Sequence, residues 1–453
     1  MNIRSRFISL NLSLFIFVFI AGCSQYTNFT TYFNTYYNMD RLTKECEDEF
    51  EFQDEKKRIE PRVFIPQPSI YMPDEHTIGP PPFMAEFIVN KQKRQPVNVK
   101  LDSIVIKGSK ILAYKSKSNY VEGSLWLMSK AFFYQEDWIN SQIKCSELID
   151  KFPTGDFSPD AHLLYSKNLI VQRKFEAGEL MLSRTVDIAW QKKRWDILSE
   201  AFRIEAELSL YQNNFEKALR PYRQAITQSD DNDLKAKWQL DMAALLFRIG
   251  KFEMAAKEFR KVHSYSPDYL QRFEAYLYEA SCLLRIGKYQ EGDEILKALY
   301  NDGKFEEWRA FTYSQMLNSY RLNDLDTNYV YPVDDDGKSL KPDIAAAEKT
   351  GDSAYANSNS MISYYFEKGV DSYYKNDYKT ARQHFAKSRQ KRTPAYSTSM
   401  RMFDLLNNWD INRNKVEKYL KMTKDSVMLQ TDSTRLNLAD NLYAIGRIHE
   451  ELG

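Results

Sequence analysis

From Leu101 onward apolar residues recur every three or four positions, the period of amphipathic helices, and a longer period is laid over it. Aligned on the polar break inside each helical pair, an aromatic stands at Trp138, Phe175, Phe215, Phe252 and Tyr289, at spacings of 37, 40, 37 and 37 residues. Repetition on this scale predicts stacked helical hairpins, each too small to bury its own apolar face. One hairpin shows the pattern in full: Ala243 and Leu246 in the first helix, Arg248-Ile249-Gly250-Lys251-Phe252 at the turn, Ala255 and Phe259 in the second helix, and Pro267 at its close. Helices of about 13 residues are marginal in water by themselves, so they must pack in pairs and then on the next pair. Small residues allow the close crossings, Ala243 opposite Ala255 and Ala206 opposite Ala218, while Phe252 and Phe259 fill the grooves between hairpins. Gly250 and Gly287 stand where a left-handed residue would end the first helix.

The order of small residue, turn glycine, aromatic, alanine, aromatic and proline in this hairpin resembles the tetratricopeptide repeat. Weaker copies lie around Phe132 to Pro153, Ser166 to Leu182, Ala206 to Ala225, Ala280 to Leu296 and Gly369 to Phe385, so the resemblance covers roughly 105–320 and 360–453. It implies an all-α solenoid of the tetratricopeptide type that binds other proteins and does not catalyse. Between Asn323 and Ser360 the pattern lapses into Asp334-Asp335-Asp336-Gly337, Pro342 and a Ser- and Asn-rich stretch. This predicts a surface insertion with one short helix near Ile344 to Lys349, and leaves the helix from Phe305 to Tyr320 without a partner. The last helical run, to Gly453, stops where a repeat would turn back, which reads either as a lone capping helix or as an incomplete array.

Upstream of the array the pattern changes twice. Residues 61–96 hold eight of the fifteen prolines, including Pro80-Pro81-Pro82, and predict an extended strap. A spacer is the simpler reading of it, although Phe64, Ile65, Tyr71, Phe83, Phe87 and Ile88 are too apolar for a purely solvated linker. Before the strap, Phe29, Phe33, Tyr36, Tyr37 and Met39 give a helix an aromatic face. At the very start Arg4 and Arg6 precede an apolar run from Phe7 to Ile20 that ends in Ile20-Ala21-Gly22-Cys23. Basic, apolar and small-residue regions in this order make a secretory signal. Its close resembles the lipobox of bacterial lipoproteins, which implies that Cys23 is lipidated and becomes the first mature residue. A membrane-spanning anchor with an incidental Cys23 is the alternative, but a span needs about 20 apolar residues. Ser24, where an Asp would imply inner-membrane retention, points to the outer membrane; the side is not fixed by the sequence, and with no acidic export tag near Ser24 the periplasmic face is the expectation. The expected organisation is therefore a signal peptide over 1–22, a lipid-anchored helical tether over 23–60, the strap over 61–100, a solenoid over 101–322, an insertion over 323–360 and further hairpins over 361–453.

Composition narrows the function. The chain carries 30 tyrosines, 27 phenylalanines and 14 methionines, ample bulk for a folded core, and its 63 basic and 62 acidic side chains leave no field to attract a nucleic acid. His76, His162, His263, His384 and His449 have no ligand spacing, and no phosphate loop, nucleophile elbow or Cys-x-x-Cys occurs, so no metal, cofactor or small-molecule substrate is expected. Cys46, Cys145 and Cys282 are an odd set, and a bridge between Cys145 and Cys282, on inward faces of separate hairpins, is not expected. The expected partners are envelope proteins. For the binding surface the reading selects Tyr120, Trp126, Trp238, Arg248 and Arg285 as exposed first-helix residues lining a concave groove. The stretch Tyr32-Phe33-Asn34-Thr35-Tyr36-Tyr37-Asn38 resembles the starts of gliding and type IX secretion lipoproteins of Bacteroidota. Barrel-assembly lipoproteins of the BamD kind, which are shorter, and glycan-binding lipoproteins of the SusD kind, whose Arg-Tyr-Ala-Glu helix is missing here, are the alternatives.

Overall fold

The computed structural model describes residues 25–55, 60–70, 79–212, 214–356, 358–425 and 432–452; the expected signal peptide and Cys23 lie outside them. The fold is all-α, a helical-repeat solenoid, with one isolated bridge between Val333 and Ser339 as the extended pairing among the described residues. The chain divides into two units, one of residues 1–59 with 76–221 and one of 60–75 with 222–453.

The first unit opens with α1, helical over 25–55 and loosened by a π turn at Tyr32–Tyr36. It continues with α2 (Asn98–Tyr114), the pair α3 (Val121–Tyr134) and α4 (Trp138–Lys151), the pair α5 (Ser158–Val171) and α6 (Phe175–Gln191), then α7 (Trp195–Tyr211) leading into α8 (Phe215–Gln228). The boundary between units falls inside α8, just after Pro221. The second unit pairs α9 (Asn232–Arg248) with α10 (Phe252–Val262), and α11 (Tyr269–Arg285) with α12 (Tyr289–Asn301). Beyond them lie α13 (Arg309–Leu325), α14 (Ile344–Tyr355), the pair α15 (Asn359–Tyr374) and α16 (Tyr378–Ser388), α17 (Tyr396–Asp425) and α18 (Asp432–Leu452).

One turn geometry recurs. Two positions before the second helix of a pair, the backbone enters the left-handed region: Glu136 at φ 62°, Arg173 at 60°, Gly250 and Gly287 at 79°, and Asn376 at 60°. Lys193, between α6 and α7, does the same at 54°. The residue that follows donates its N–H five positions back, Lys251 to the Leu246 carbonyl and Lys288 to the Leu283 carbonyl, both at 2.9 Å. This is the Schellman closure, which satisfies carbonyls that a helix end would otherwise orphan. Close crossings follow from small side chains: a Cβ on Gly292 would lie 2.8 Å from Leu284 and 3.1 Å from the Ala280 carbonyl. Ala218 and Ala255 are wholly buried, and Phe252, half-buried, packs its ring 5.5 Å from that of Phe247.

First and second helices are buried differently. In α9 the residues Trp238, Gln239, Leu240 and the run from Met242 to Phe247 are all buried, whereas α10 buries only Ala255, Ala256, Phe259 and Val262. A helix packed on several sides loses its polar face, and one at the outside of the stack keeps it.

One expectation changes here. The helix read as partnerless, α13, packs against α15 across the insertion, and α14 extends to Tyr355 and packs on both. Tyr313 donates to the Ala347 carbonyl, Tyr364 to Glu348 and Tyr365 to Asp352, so the inserted helix is tied down by three phenols, two of them on buried residues. At the C-terminal end α18 packs on α17, with the Trp409 indole N–H donating to His449.

Candidate protein-binding groove

A face that holds a partner peptide needs unsatisfied polar groups to meet a main chain and apolar pockets to take side chains. The second unit has such a face on α9, α11, α13 and α15, and residues 60–70 of the same chain lie in it. Within Glu60-Pro61-Arg62-Val63-Phe64-Ile65-Pro66-Gln67-Pro68-Ser69-Ile70, three prolines remove backbone donors, so an extended course leaves fewer N–H groups to satisfy. The groove meets several of those that remain. The N–H of Arg62 donates to Glu274 Oε1 at 2.6 Å and that of Phe64 to the Tyr278 hydroxyl at 2.8 Å, while Tyr278 in turn donates to the Arg62 carbonyl at 2.8 Å. The Gln67 N–H reaches the Arg248 carbonyl at 2.8 Å.

Tyr278 can do both because burial pushes its pKa up and keeps it a neutral phenol, donor and acceptor at once. Side chains fix the register. The Arg62 guanidinium bridges Asp241, at 2.7 Å, and Glu274, at 2.8 and 3.0 Å. Glu274 is 1% exposed, so without Arg62 its charge would be buried and unpaired. The Phe64 ring packs 4.6 Å from that of Tyr278, and Ile65 is buried among Phe366, Tyr373, Ala381, Phe385, Ala395, Met402 and Leu406. The spacer reading of this part of the strap therefore fails: its apolar residues find a core and its arginine finds two carboxylates.

Beside the strap lies a second polar cluster. Glu367 accepts on both oxygens, at 2.7 and 2.6 Å, from one amino group of Arg285, whose other amino group donates to Ser281; it also accepts from Arg321 at 2.7 Å, and Arg321 pairs with Asp371. Two cations and two anions balance, so the cluster ties α11, α13 and α15 together without leaving net buried charge. Ser314, Gln315, Asn318, Ser360 and Ser363 line a small cleft between it and Val63 and Phe64.

The residues selected from the sequence do not form one groove. Tyr120 and Trp126 lie in the first unit, half-buried: Tyr120 packs on Tyr36 and Tyr32, and Trp126 stacks on Phe157 at 6.3 Å with Lys130 over its ring. Trp238 is 1% exposed and belongs to the core of the second unit, not to a surface. The Arg285 side chain is 6% exposed, held by Glu367 and stacked on Phe247 and Phe252, so it is also part of the interior. Arg248 alone of the five bonds to the strap, through its backbone carbonyl. The residues that carry the groove, Asp241, Glu274, Tyr278 and Glu367, were missed. For Asp241 and Glu274 the signal was a single carboxylate between apolar neighbours, as in Leu240-Asp241-Met242 and Phe273-Glu274-Ala275.

Elsewhere, Cys46, Cys145 and Cys282 are buried free thiols, and burial pushes Cys46 and Cys145 up to about 12. Among the described residues no group of three or more His, Cys, Asp or Glu is placed to hold a metal ion. Asp334 caps its own turn, accepting from the N–H groups of Asp336 and Lys338.

The sequence matches no protein-family model and no curated protein. Among solved structures, the chain is similar to a tetratricopeptide repeat protein from Parabacteroides merdae, at 15% identity and a TM-score of 0.38, over 62% of this chain and 98% of that one. At that level the likeness carries no argument, and the repeat architecture rests on the hairpins themselves.

Proposed function

We propose that the chain is a lipid-anchored scaffold that holds other proteins in a bacterial cell-envelope assembly or secretion machine, of the type IX secretion and gliding kind, at the periplasmic face of the outer membrane. The observation that carries the scaffold reading is the groove of the second unit, which grips an extended segment through main-chain bonds to Glu274, Tyr278 and Arg248 and through side-chain pockets. That is the chemistry by which helical-hairpin arrays hold peptides in general. The anchor reading rests on Arg4, Arg6, the apolar run and Ile20-Ala21-Gly22-Cys23. No helix among the described residues is long and apolar enough to cross a membrane. The envelope role rests on the aromatic and Asn-rich stretch from Tyr32 to Asn38.

Two measurements test this. Growth in labelled palmitate should tag the protein, and Cys23→Ala should abolish the tag; an equal tag in the variant refutes lipidation at that residue. Crosslinking in intact cells followed by purification should recover components of a secretion machine. Recovery of barrel-assembly or glycan-import components in their place would reassign the role.

A further inference from the structure

The aromatic face of α1 is split by the fold. Tyr36 and Met39 turn inward, Met39 being wholly buried with Cys46 and Phe50 in the core of the first unit. Tyr26, Phe29, Phe33 and Tyr37 turn outward, at 70%, 62%, 55% and 48% exposure. Spaced by three, four and four residues, they follow one side of the helix. Three of these rings are linked through half-buried Tyr32: Phe29 lies 4.7 Å from Phe33, Phe33 4.9 Å from Tyr32, and Tyr32 6.1 Å from Tyr37.

Three polar side chains among these rings are satisfied within the protein. Thr30 and Thr31 donate back to the Tyr26 and Thr27 carbonyls at 2.9 and 2.6 Å, and Asn28 accepts from Ser118 and from the Asn119 N–H. From Gln25 to Met39 the sequence has no charged side chain. A helix face meant for water carries charge, and this one does not. Phenol and phenyl rings without charge favour the zone where acyl chains meet headgroups, where the ring is dehydrated and a hydroxyl stays wet.

Chain length names the occupant. Tyr26 is three residues from Cys23, so even a fully stretched backbone keeps it within roughly 11 Å of an acylated cysteine. We propose that the outward face of α1, formed by Tyr26, Phe29, Phe33 and Tyr37, seats in the headgroup region of a phospholipid bilayer and so fixes how the first unit meets the membrane. The proposal rests on the lipid-anchor reading only for delivery to the bilayer.

The test places an environment-sensitive fluorophore on Phe33→Cys, and as control on Ile139→Cys, an exposed position on α4. The buried thiols of Cys46, Cys145 and Cys282 are shielded from the label, and peptide mass spectrometry confirms its position and reads the acyl mass on Cys23. The full protein is reconstituted into vesicles of phosphatidylethanolamine and phosphatidylglycerol. The expected result is a blue-shifted emission at position 33, quenched by shallow spin-labelled lipids, with no shift at 139. Water-like emission at 33 on vesicles overturns the proposal, as does a blue shift present before lipid is added, which would assign the face to a protein contact. A missing acyl mass with a lipid-dependent shift at 33 would fell the anchor reading and leave this one standing.

Discussion

Both units carry part of the Pro-rich strap, and they hold it by different physics. In the second unit residues 60–70 are fixed by main-chain hydrogen bonds and a buried carboxylate, with Ile65 driven into the core. In the first unit residues 79–97 are held mostly through side chains: Phe83 packs on Tyr211, Phe87 lies beneath Lys167 and Arg203, Met84 and Val97 are buried, Arg94 donates to the Tyr134 carbonyl and to Glu136, and Arg173 donates to the Gly79 carbonyl. Main-chain bonding reads the course of a peptide whatever its sequence, whereas ring-on-cation contacts are tolerant of position and weak one by one. The second unit therefore has the makings of a firm peptide clasp, made selective by the contacts to the Arg62 and Ile65 side chains, and the first a rest built on side-chain packing.

That contrast can be broken by substitution. Arg62→Ala strips the partner from Glu274 and should cost the second unit roughly 2–3 kcal/mol, reduced from the full buried-pair value because Arg62 is itself half exposed. Hydrogen exchange of the α11 amides should accelerate while that of α5 stays unchanged; equal protection in variant and wild type would show that the clasp is not ionic. Adding Glu274→Leu to Arg62→Ala should restore more than half of the loss, since the charge with no partner is then gone. In the first unit Phe87→Ala removes two cation contacts and a half-buried ring, for about 1–2 kcal/mol, seen as a lower denaturation midpoint. A loss as large as that of Arg62→Ala would erase the distinction between clasp and rest. The smallest effect tests the turn geometry on which both units depend. Lys193, exposed at φ 54°, is strained as a side-chain-bearing residue, so Lys193→Gly should raise stability by about 1 kcal/mol, measured by thermal unfolding.

Local chemistry explains what was legible in the sequence. The helical period, the helix-ending turns at Gly250 and Gly287 and the burial of Ala218 and Ala255 are all set by residues within one hairpin, so a local pattern reports them. Which face of a first helix meets solvent is not local. Trp238 and Arg285 sit on helices packed on several sides, where periodicity fades and a polar residue can be interior if its partner comes from far away. The strap was hardest to place, because an extended segment has no period to betray a buried side, and its arginine meets residues distant in sequence. The same holds for α13, whose neighbour α15 lies beyond the insertion.

The hydrogen bond from the Arg62 backbone to Glu274 joins residues 212 positions apart. The arginine can meet its acceptor only once α11 has coiled and packed. Closing so long a loop is entropically slow, and contacts of this kind form late. The hairpins of the second unit can assemble stepwise from neighbour to neighbour, but locking them with residues 60–70 is a separate, later event, and until then the carboxylate of Glu274 stays hydrated and the groove stays open.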